Sequence, residues 1–260
     1  MKIFINVDTY KDVAIDTKEK LEELCGSFDI EIVDNASKAD MIFSIGGDGT
    51  FLESARLSNG IPVIGINCGT LGFLTDVKPD DLEETIANIL DGKYYIEERM
   101  MLEGKIIKEN GEIIKIPHAL NEIAVSKNTF GVVRFDAIVD GKLINSYTAD
   151  GILVSTPTGS TAYNLSCGGP IADPTAKIIT LTPIAPHTIL NRSIILSDES
   201  VVSIKITELR NDTKSFVLYD GRPMEVTTGD TIKIRKSNYI TKIVKLNWRS
   251  FIDNIRDNVK

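Results

Sequence analysis

A chain of 260 residues has room for one large domain or two modest ones, either with a sizeable core. Its composition, 42% hydrophobic and 25% charged, is that of an ordinary soluble globular protein. A net charge of -8 argues against a broad nucleic-acid surface, but it leaves room for local anion sites built from backbone N–H groups, which net charge does not count.

The cysteines, Cys25, Cys68 and Cys167, lie far apart, without a C-x-x-C or metal-ligand spacing. Their odd count argues against a disulfide framework, and they read as buried or idle thiols in a reducing compartment. The opening MKIFINVDTYKD turns polar too soon for a signal peptide and reads as a first strand. No apolar run approaches the roughly 20 residues a membrane helix needs. A cytoplasmic protein without a membrane partner is expected.

The first hundred residues alternate strand and helix signals. KIFINV, at 2–7, is a short apolar strand. DTKEKLEELCG follows at 16–26, with Asp16 as candidate N-cap, Glu19 as its capping-box partner and Gly26 as the stop, while Leu21 and Leu24 form an apolar stripe. IEIV and MIFSIG read as strands, and a helix is expected over about 50–57. PVIGIN is a further strand and DLEETIANIL a further helix. Such alternation predicts an α/β domain over 1–97, Rossmann-like, with a parallel sheet and helices on both faces.

Beyond 97 the pattern changes. Three pairs of strand-like runs surround Asn110-Gly111, Asp140-Gly141 and Asp220-Gly221, dipeptides favoured in two-residue hairpin turns because both positions need positive φ. VVSIKI and DTIKIRK alternate with period two. An all-β, mostly antiparallel domain is expected over 98–248. SFIDNIRDNVK reads as a short helix, and a helix over about 249–260 is expected to return to the first domain.

Three stretches carry chemistry. In SIGGDGTFL, residues 44–52, an apolar strand runs into Gly46-Gly47-Asp48-Gly49 and a helix start. Glycines let a ligand approach the backbone, and free N–H groups at a helix start favour phosphate. The alternative is a tight strand–helix turn with Asp48 as its cap. A dinucleotide fingerprint fails because Leu52 occupies the third glycine position, and a Walker A loop fails for want of its lysine. An aspartate among phosphate-facing glycines makes chemical sense if it holds a metal or removes a proton, both phosphoryl-transfer roles. ALNEIAV, residues 119–125, sets Asn121 and Glu122 side by side in an apolar run, suited to ribose hydroxyls or a base edge, or simply a strand end. ADGILVSTPTGSTAYNLSCGGP, residues 149–170, is a strand followed by a hydroxyl-rich turn and an aromatic ring, Tyr163, able to stack on a base. Its alternative is a Thr/Ser-rich loop.

Taken in order, GGDGT, NE, DG and TPTGSTAY resemble the NAD kinase family of bacterial type, ATP-NAD kinases that phosphorylate the adenosine-ribose 2′-hydroxyl of NAD to form NADP. INCGTLGFLTD and PIAPHTILNRSIIL are similar to further family segments, so matching stretches run from about residue 42 to residue 196. GGDGT alone is shared with lipid kinases and phosphofructokinases; TPTGSTAY with NE is far more specific.

The resemblance implies that Asp48 is the general base, that Gly46, Gly47 and Gly49 approach the donor phosphates, and that Asp48 and Gly49 also line the dinucleotide. It implies that Asn121 and Glu122 hold ribose hydroxyls, that Asp150 lies near the nicotinamide, and that Thr161, Ala162, Tyr163 and Ser166 surround adenine and ribose. Thr148 stands where many bacterial members have arginine, Arg222 where others have histidine or glutamine, and Glu53 where relatives are often basic. The implied fold is an α/β domain followed by a β-rich domain, with the dinucleotide between them and often across a subunit interface. NAD, ATP or polyphosphate, Mg²⁺ and a homodimer or homotetramer are the implied partners. No residue is singled out as a metal ligand, and nucleic acid is not a partner. His118, His187 and Trp248 read as structural. Two other functions fit less of the chain: a lipid kinase, which leaves TPTGSTAY unexplained, and a non-catalytic NAD(P)-binding regulator, against which Asp48 argues.

Overall fold

The computed structural model describes residues 1–69, 72–127, 131–209, 214–246 and 251–258. Trp248 and both ends of the helix expected over 249–260 lie outside the described residues. The chain divides into two compact units, Met1–Arg99 with Ile240–Lys260, and Met100–Tyr239.

The first unit opens with β1 (Lys2–Val7), α1 (Asp12–Ser27), β2 (Glu31–Ile32), β3 (Met41–Gly46), α2 (Asp48–Ser58), β4 (Val63–Asn67) and α3 (Leu82–Leu90). The strands order as β2–β1–β3–β4, every pair parallel. β3, MIFSIG, is buried at every position, the pattern of a strand covered on both faces. Beneath the helices lies a core that includes Ile3, Leu21, Phe43, Ile64 and Ile86. The chain passes first to one side of β1 and then to the other, so the strand order reverses between β1 and β3. In open parallel sheets a crevice forms at such a reversal, beyond the carboxyl ends of the strands. The pairing Val7↔Ile45 sets the ends of β1 and β3 level.

α1 starts a turn earlier than expected. Its N-cap is Lys11, no side chain caps it, and Asp16 lies inside the helix. The buried stripe is Ala14, Thr17, Leu21 and Cys25, whose helical spacing draws the first turn onto the sheet and overrides the Asp16–Glu19 capping signal. Gly26 does not stop the helix either, and the chain turns at Asp29, which takes a φ of 52°. α2 begins at Asp48 rather than near 50.

The second unit contains most of β5 (Tyr95–Ile107), then β6 (Ile113–Ala119), β7 (Glu122–Lys127), β8 (Val133–Val139), β9 (Lys142–Ala149) and β10 (Gly151–Ser155). A 3-10 turn (Thr158–Thr161) and the short α4 (Tyr163–Ser166) follow. β11 (Ile178–Ile184), β12 (Ile194–Ser197), β13 (Val202–Leu209), β14 (Ser215–Tyr219), β15 (Arg222–Val226) and the start of β16 (Thr231–Lys245) complete it. One sheet orders as β12–β11–β10–β7–β14–β15, antiparallel throughout. In the other, β16, β13, β8 and β9 are antiparallel neighbours, with β5 beside β16 and β6 beside β5. Apolar residues of both sheets, Val125, Ile152, Phe135, Tyr147 and Ile204 among them, form one core.

Asp140-Gly141 and Asp220-Gly221 adopt positive φ at both positions, as two-residue hairpin turns demand. Asn110-Gly111 does not. Only Gly111 has positive φ, and Lys108 N–H bonds the Glu112 carbonyl, which makes a three-residue turn with glycine in the left-handed position. β16 leaves the second unit at Tyr239 and ends in the first, where Ile243 pairs with Val63 of β4 in parallel, so the return comes inside a strand and ahead of the helix expected after 248. α5 (Phe251–Asn258) follows. No helix among the described residues is long and apolar enough to cross a membrane.

Candidate active site

Each unit gathers its own set of polar groups. In the first, β3 ends at Gly46, where a Cβ would collide with the Thr50 side chain, so only glycine lets α2 start this close to the strand. Gly47 is the N-cap of α2 in extended backbone with no side-chain cap, and Gly49 is exposed with open space around it. Asp48 does not cap its own helix. Its carboxylate accepts hydrogen bonds from the N–H groups of Phe73 (2.9 Å) and Leu74 (3.2 Å) and from the Thr75 hydroxyl (3.2 Å). Gly72 permits this, since a Cβ there would collide with the same carboxylate. Asp48 is therefore a half-buried carboxylate whose direction is set by a second loop.

Beside the glycines lies a cleft of about 400 Å³, lined by Asp8, Tyr10, Lys11, Gly47, Thr50 and Glu53 among others. The GGDG loop carries no lysine, yet the turn between β1 and α1 delivers one. Sequence reasoning missed Lys11 because it belongs to no motif; the available signal was its place after the first strand of a βαβ unit. Among the described residues no three His, Cys, Asp or Glu side chains gather to hold a metal. Mg²⁺ needs no such cage, because it keeps water and substrate phosphate oxygens and takes one or two carboxylates. The carboxylates of Asp8 and Glu53 in this cleft fit that mode.

In the second unit, the NE and TPTGSTAY stretches are welded together. The Asn121 carbonyl accepts from Thr156 N–H (2.9 Å), and the Leu120 carbonyl accepts from the Thr156 hydroxyl (2.6 Å). Gly159 packs so tightly on Asn121 that any Cβ would strike the Asn121 backbone. The hairpin turn after β14 completes the weld, since the Asp220 carboxylate accepts from the N–H groups of Leu120 (3.0 Å), Asn121 (2.8 Å) and Glu122 (3.4 Å). Asp220 was read only as turn chemistry, and Thr156 and Gly159 only as members of TPTGSTAY; none was expected to hold the site together. Their work is backbone satisfaction across strands, which leaves no local pattern.

This framework holds Glu122 at the start of β7, 7% exposed, with its Oε2 lacking any hydrogen-bond partner among the described residues. Burial first, then the negative Asp220, pushes the Glu122 carboxyl up to about 8, against a hydrogen bond from the Tyr163 N–H. Tyr163 spans the gap between strands: its N–H meets Glu122, while its hydroxyl meets Ser126 and Cys167. Burial, then Cys167, raises its phenol. Thr161 and Ala162 lie in the same turn, Thr161 bonding the Thr158 carbonyl (3.4 Å) and Ala162 N–H the Gly159 carbonyl (2.9 Å), and Ser166 is exposed at the end of α4. The Asn121 side chain makes no hydrogen bond among the described residues and is half-buried.

Asp150 sits at the other end of β7, paired with Lys127 at 2.6 Å, and the Thr148 carbonyl accepts from His187 N–H at 2.8 Å. The pairings Ser155↔Glu122 and Gly151↔Ser126, continued one residue to Asp150 opposite Lys127, put Asp150 about 17 Å along the strand from Glu122 at roughly 3.3 Å per residue. Arg222 follows the Asp220-Gly221 turn and is exposed. The second unit thus brings Asn121, Glu122, Thr161, Ala162 and Tyr163 into one cluster, with Thr148 and Asp150 at its far end. A buried acid with one oxygen lacking a partner, an amide and an aromatic ring thus lie on this unit's residues.

Two family descriptions cover the chain. ATP-NAD kinase N-terminal domain matches residues 8–94, and ATP-NAD kinase C-terminal domain matches residues 120–246. The chain is 38% identical over 243 residues to an NAD kinase of Ruminiclostridium cellulolyticum, covering 90% of this chain and 84% of that protein. It is 41% identical over 225 residues to an NAD kinase of Caldanaerobacter subterraneus, covering 85% and 78%. Among solved structures, an NAD kinase from Archaeoglobus fulgidus in complex with ATP superposes with a TM-score of 0.79 at 25% identity, covering 98% of each chain. Yeast NADH kinase complexed with NADH shares the fold, with a TM-score of 0.91 at 23% identity, covering 100% of this chain and 88% of the other.

Proposed function

The chain belongs to the ATP-NAD kinase family, and we propose that it moves the γ-phosphoryl group of ATP to the 2′-hydroxyl of the adenosine ribose of NAD, with Asp48 taking the hydroxyl proton. It is a phosphotransferase with an alcohol group as acceptor. The lipid-kinase and regulator readings are not favoured, because both halves of the chain match kinases of NAD.

The observation that carries the site assignment is the buried, unpartnered Glu122 oxygen. A ribose hydroxyl, which both donates and accepts, supplies the missing partner, and Asn121 beside it offers both a donor and an acceptor. Thr161, Ala162 and Tyr163 take the adenosine, with Ser166 at its edge. Asp150 and Thr148 take the nicotinamide end, and Arg222 a further part of the dinucleotide. Gly46, Gly47 and Gly49 present the start of α2 to the donor phosphates.

A ribose hydroxyl is a poor nucleophile, and phosphoryl transfer depends on positioning and charge stabilisation. As the ribose oxygen bonds the γ-phosphorus, its proton passes to the Asp48 carboxylate. The bond from the γ-phosphorus to the β–γ bridging oxygen breaks, and ADP leaves. The loop at 73–75 fixes Asp48 so that the carboxylate spends no freedom on alignment. Mg²⁺ would supply neutralisation of the phosphate charge, held by Asp8 or Glu53. A cytoplasmic homodimer or homotetramer is part of the same reading, and light scattering of the purified protein checks the assembly.

The test is formation of NADP from NAD and MgATP by the purified chain, read with an NADP-specific dehydrogenase. NADP at catalytic turnover is expected. No product with ATP or polyphosphate would remove the reading.

A further inference from the structure

We propose that Lys11 is the cation that clasps the donor's phosphates against the GGDG loop. This rests on the kinase reading above. Three observations on the first unit converge on it.

The first is topological. The strand order reverses between β1 and β3, and the crevice of such a sheet opens where those two strands end. Lys11 follows β1 and Gly47 follows β3, and both line the cleft of about 400 Å³ found there. The second is distance. The Lys11 ammonium lies 3.6 Å from where a Cβ of Gly47 would stand and 3.7 Å from where one of Gly69 would stand. The ammonium therefore stands beside the GGDG backbone, within reach of any phosphate oxygen seated on that loop. The third is charge. Lys11 and Gly47 are the N-caps of α1 and α2, neither helix start is capped by a side chain, and each carries about half a positive charge.

Against these stand two carboxylates of the same cleft, Asp8 and Glu53. Without Lys11 the two helix starts would not outweigh them, and a polyphosphate would be repelled. Asp8 holds the ammonium at 3.4 Å, longer than the roughly 2.7–2.9 Å of a tight charge-assisted bond. An ammonium has three donors, so Asp8 positions Lys11 and leaves it donors for phosphate oxygens. The ligand class is a triphosphate tail, whatever base it carries.

The test uses the full chain with Lys11→Ala and Lys11→Arg. Steady-state kinetics separate the two substrates, and calorimetry with inorganic tripolyphosphate reads binding without turnover. Lys11→Ala should raise the KM for MgATP roughly 10- to 100-fold, the worth of a lost charge-assisted bond. The KM for NAD and the melting temperature should stay near wild type, and Lys11→Arg should recover most of the loss. Wild-type KM for MgATP in Lys11→Ala would overturn the proposal and leave the kinase reading intact. If the wild type forms no NADP, the kinase reading fails, and tripolyphosphate decides for Lys11. Binding lost in Lys11→Ala supports the proposal; binding equal in both, or absent from both, overturns it.

Discussion

At the scale of single residues, the carboxylates assigned to the chemistry stand where water cannot fully reach them. Glu122 is the sharpest case. Its folded value of about 8 exceeds its ordinary 4.5, so folding favours the neutral acid. Its stabilising contribution is therefore full below about pH 4.5 and is lost as pH rises towards 8. The difference in stability between wild type and Glu122→Gln should follow that slope in urea titrations without ligand between about pH 5 and pH 8. A pH-independent difference would contradict the burial argument. Asp220 contributes to the same shift and also satisfies three backbone N–H groups, so its removal acts twice. Asp220→Ala should cost about 1–3 kcal/mol through the orphaned donors, measured by denaturant titration at pH 7. Neither Asp220 nor Lys11 was legible in the sequence. Asp220 looked like turn chemistry alone, and its tertiary use appears only once β14 lies beside β7. Lys11 becomes a neighbour of Gly47 only through the parallel pairing of β1 with β3. Asp48 and Glu122, by contrast, stood out because a charged residue interrupted an apolar run.

At the scale of elements, backbone closeness decides what can change. Gly159 sits on the Asn121 backbone and joins the 3-10 turn to the entry of β7. Gly159→Ala should cost about 1–3 kcal/mol or more, because backbone cannot yield as a side chain can, and should weaken NAD binding in the same variant. Denaturant titration and a fluorescence titration with NAD check both parts, and unchanged affinity would separate the turn from the ligand. The elements themselves were largely readable. Strand–helix alternation and paired turn residues specified the sheet types, since periods of two and of 3.6 differ plainly. Boundaries were less readable. The Asp16–Glu19 signal is local, and the burial of Ala14 and Thr17 against the sheet outweighs it. The Asn110-Gly111 dipeptide allowed two turn geometries, and the β5–β6 register selected the one with a single left-handed residue.

At the scale of the whole molecule, an acidic chain handles two anionic substrates without a basic surface. The proposal assigns this to local devices: helix starts, glycines that bare the backbone, and a lysine placed at the strand-order reversal. High salt should raise the KM for MgATP only modestly, because these partly enclosed contacts are screened less than exposed charges. In the proposed mechanism the two units divide the work, with the groups assigned to phosphate in one and those assigned to the nucleoside in the other. The claim on which this account turns is that Asp48 removes the hydroxyl proton. The most direct measurement is kcat for NADP formation by Asp48→Asn, with NAD affinity and melting temperature recorded on the same sample. The account predicts a fall of roughly 10²- to 10⁴-fold with affinity and fold retained. A kcat within a few-fold of wild type would contradict it.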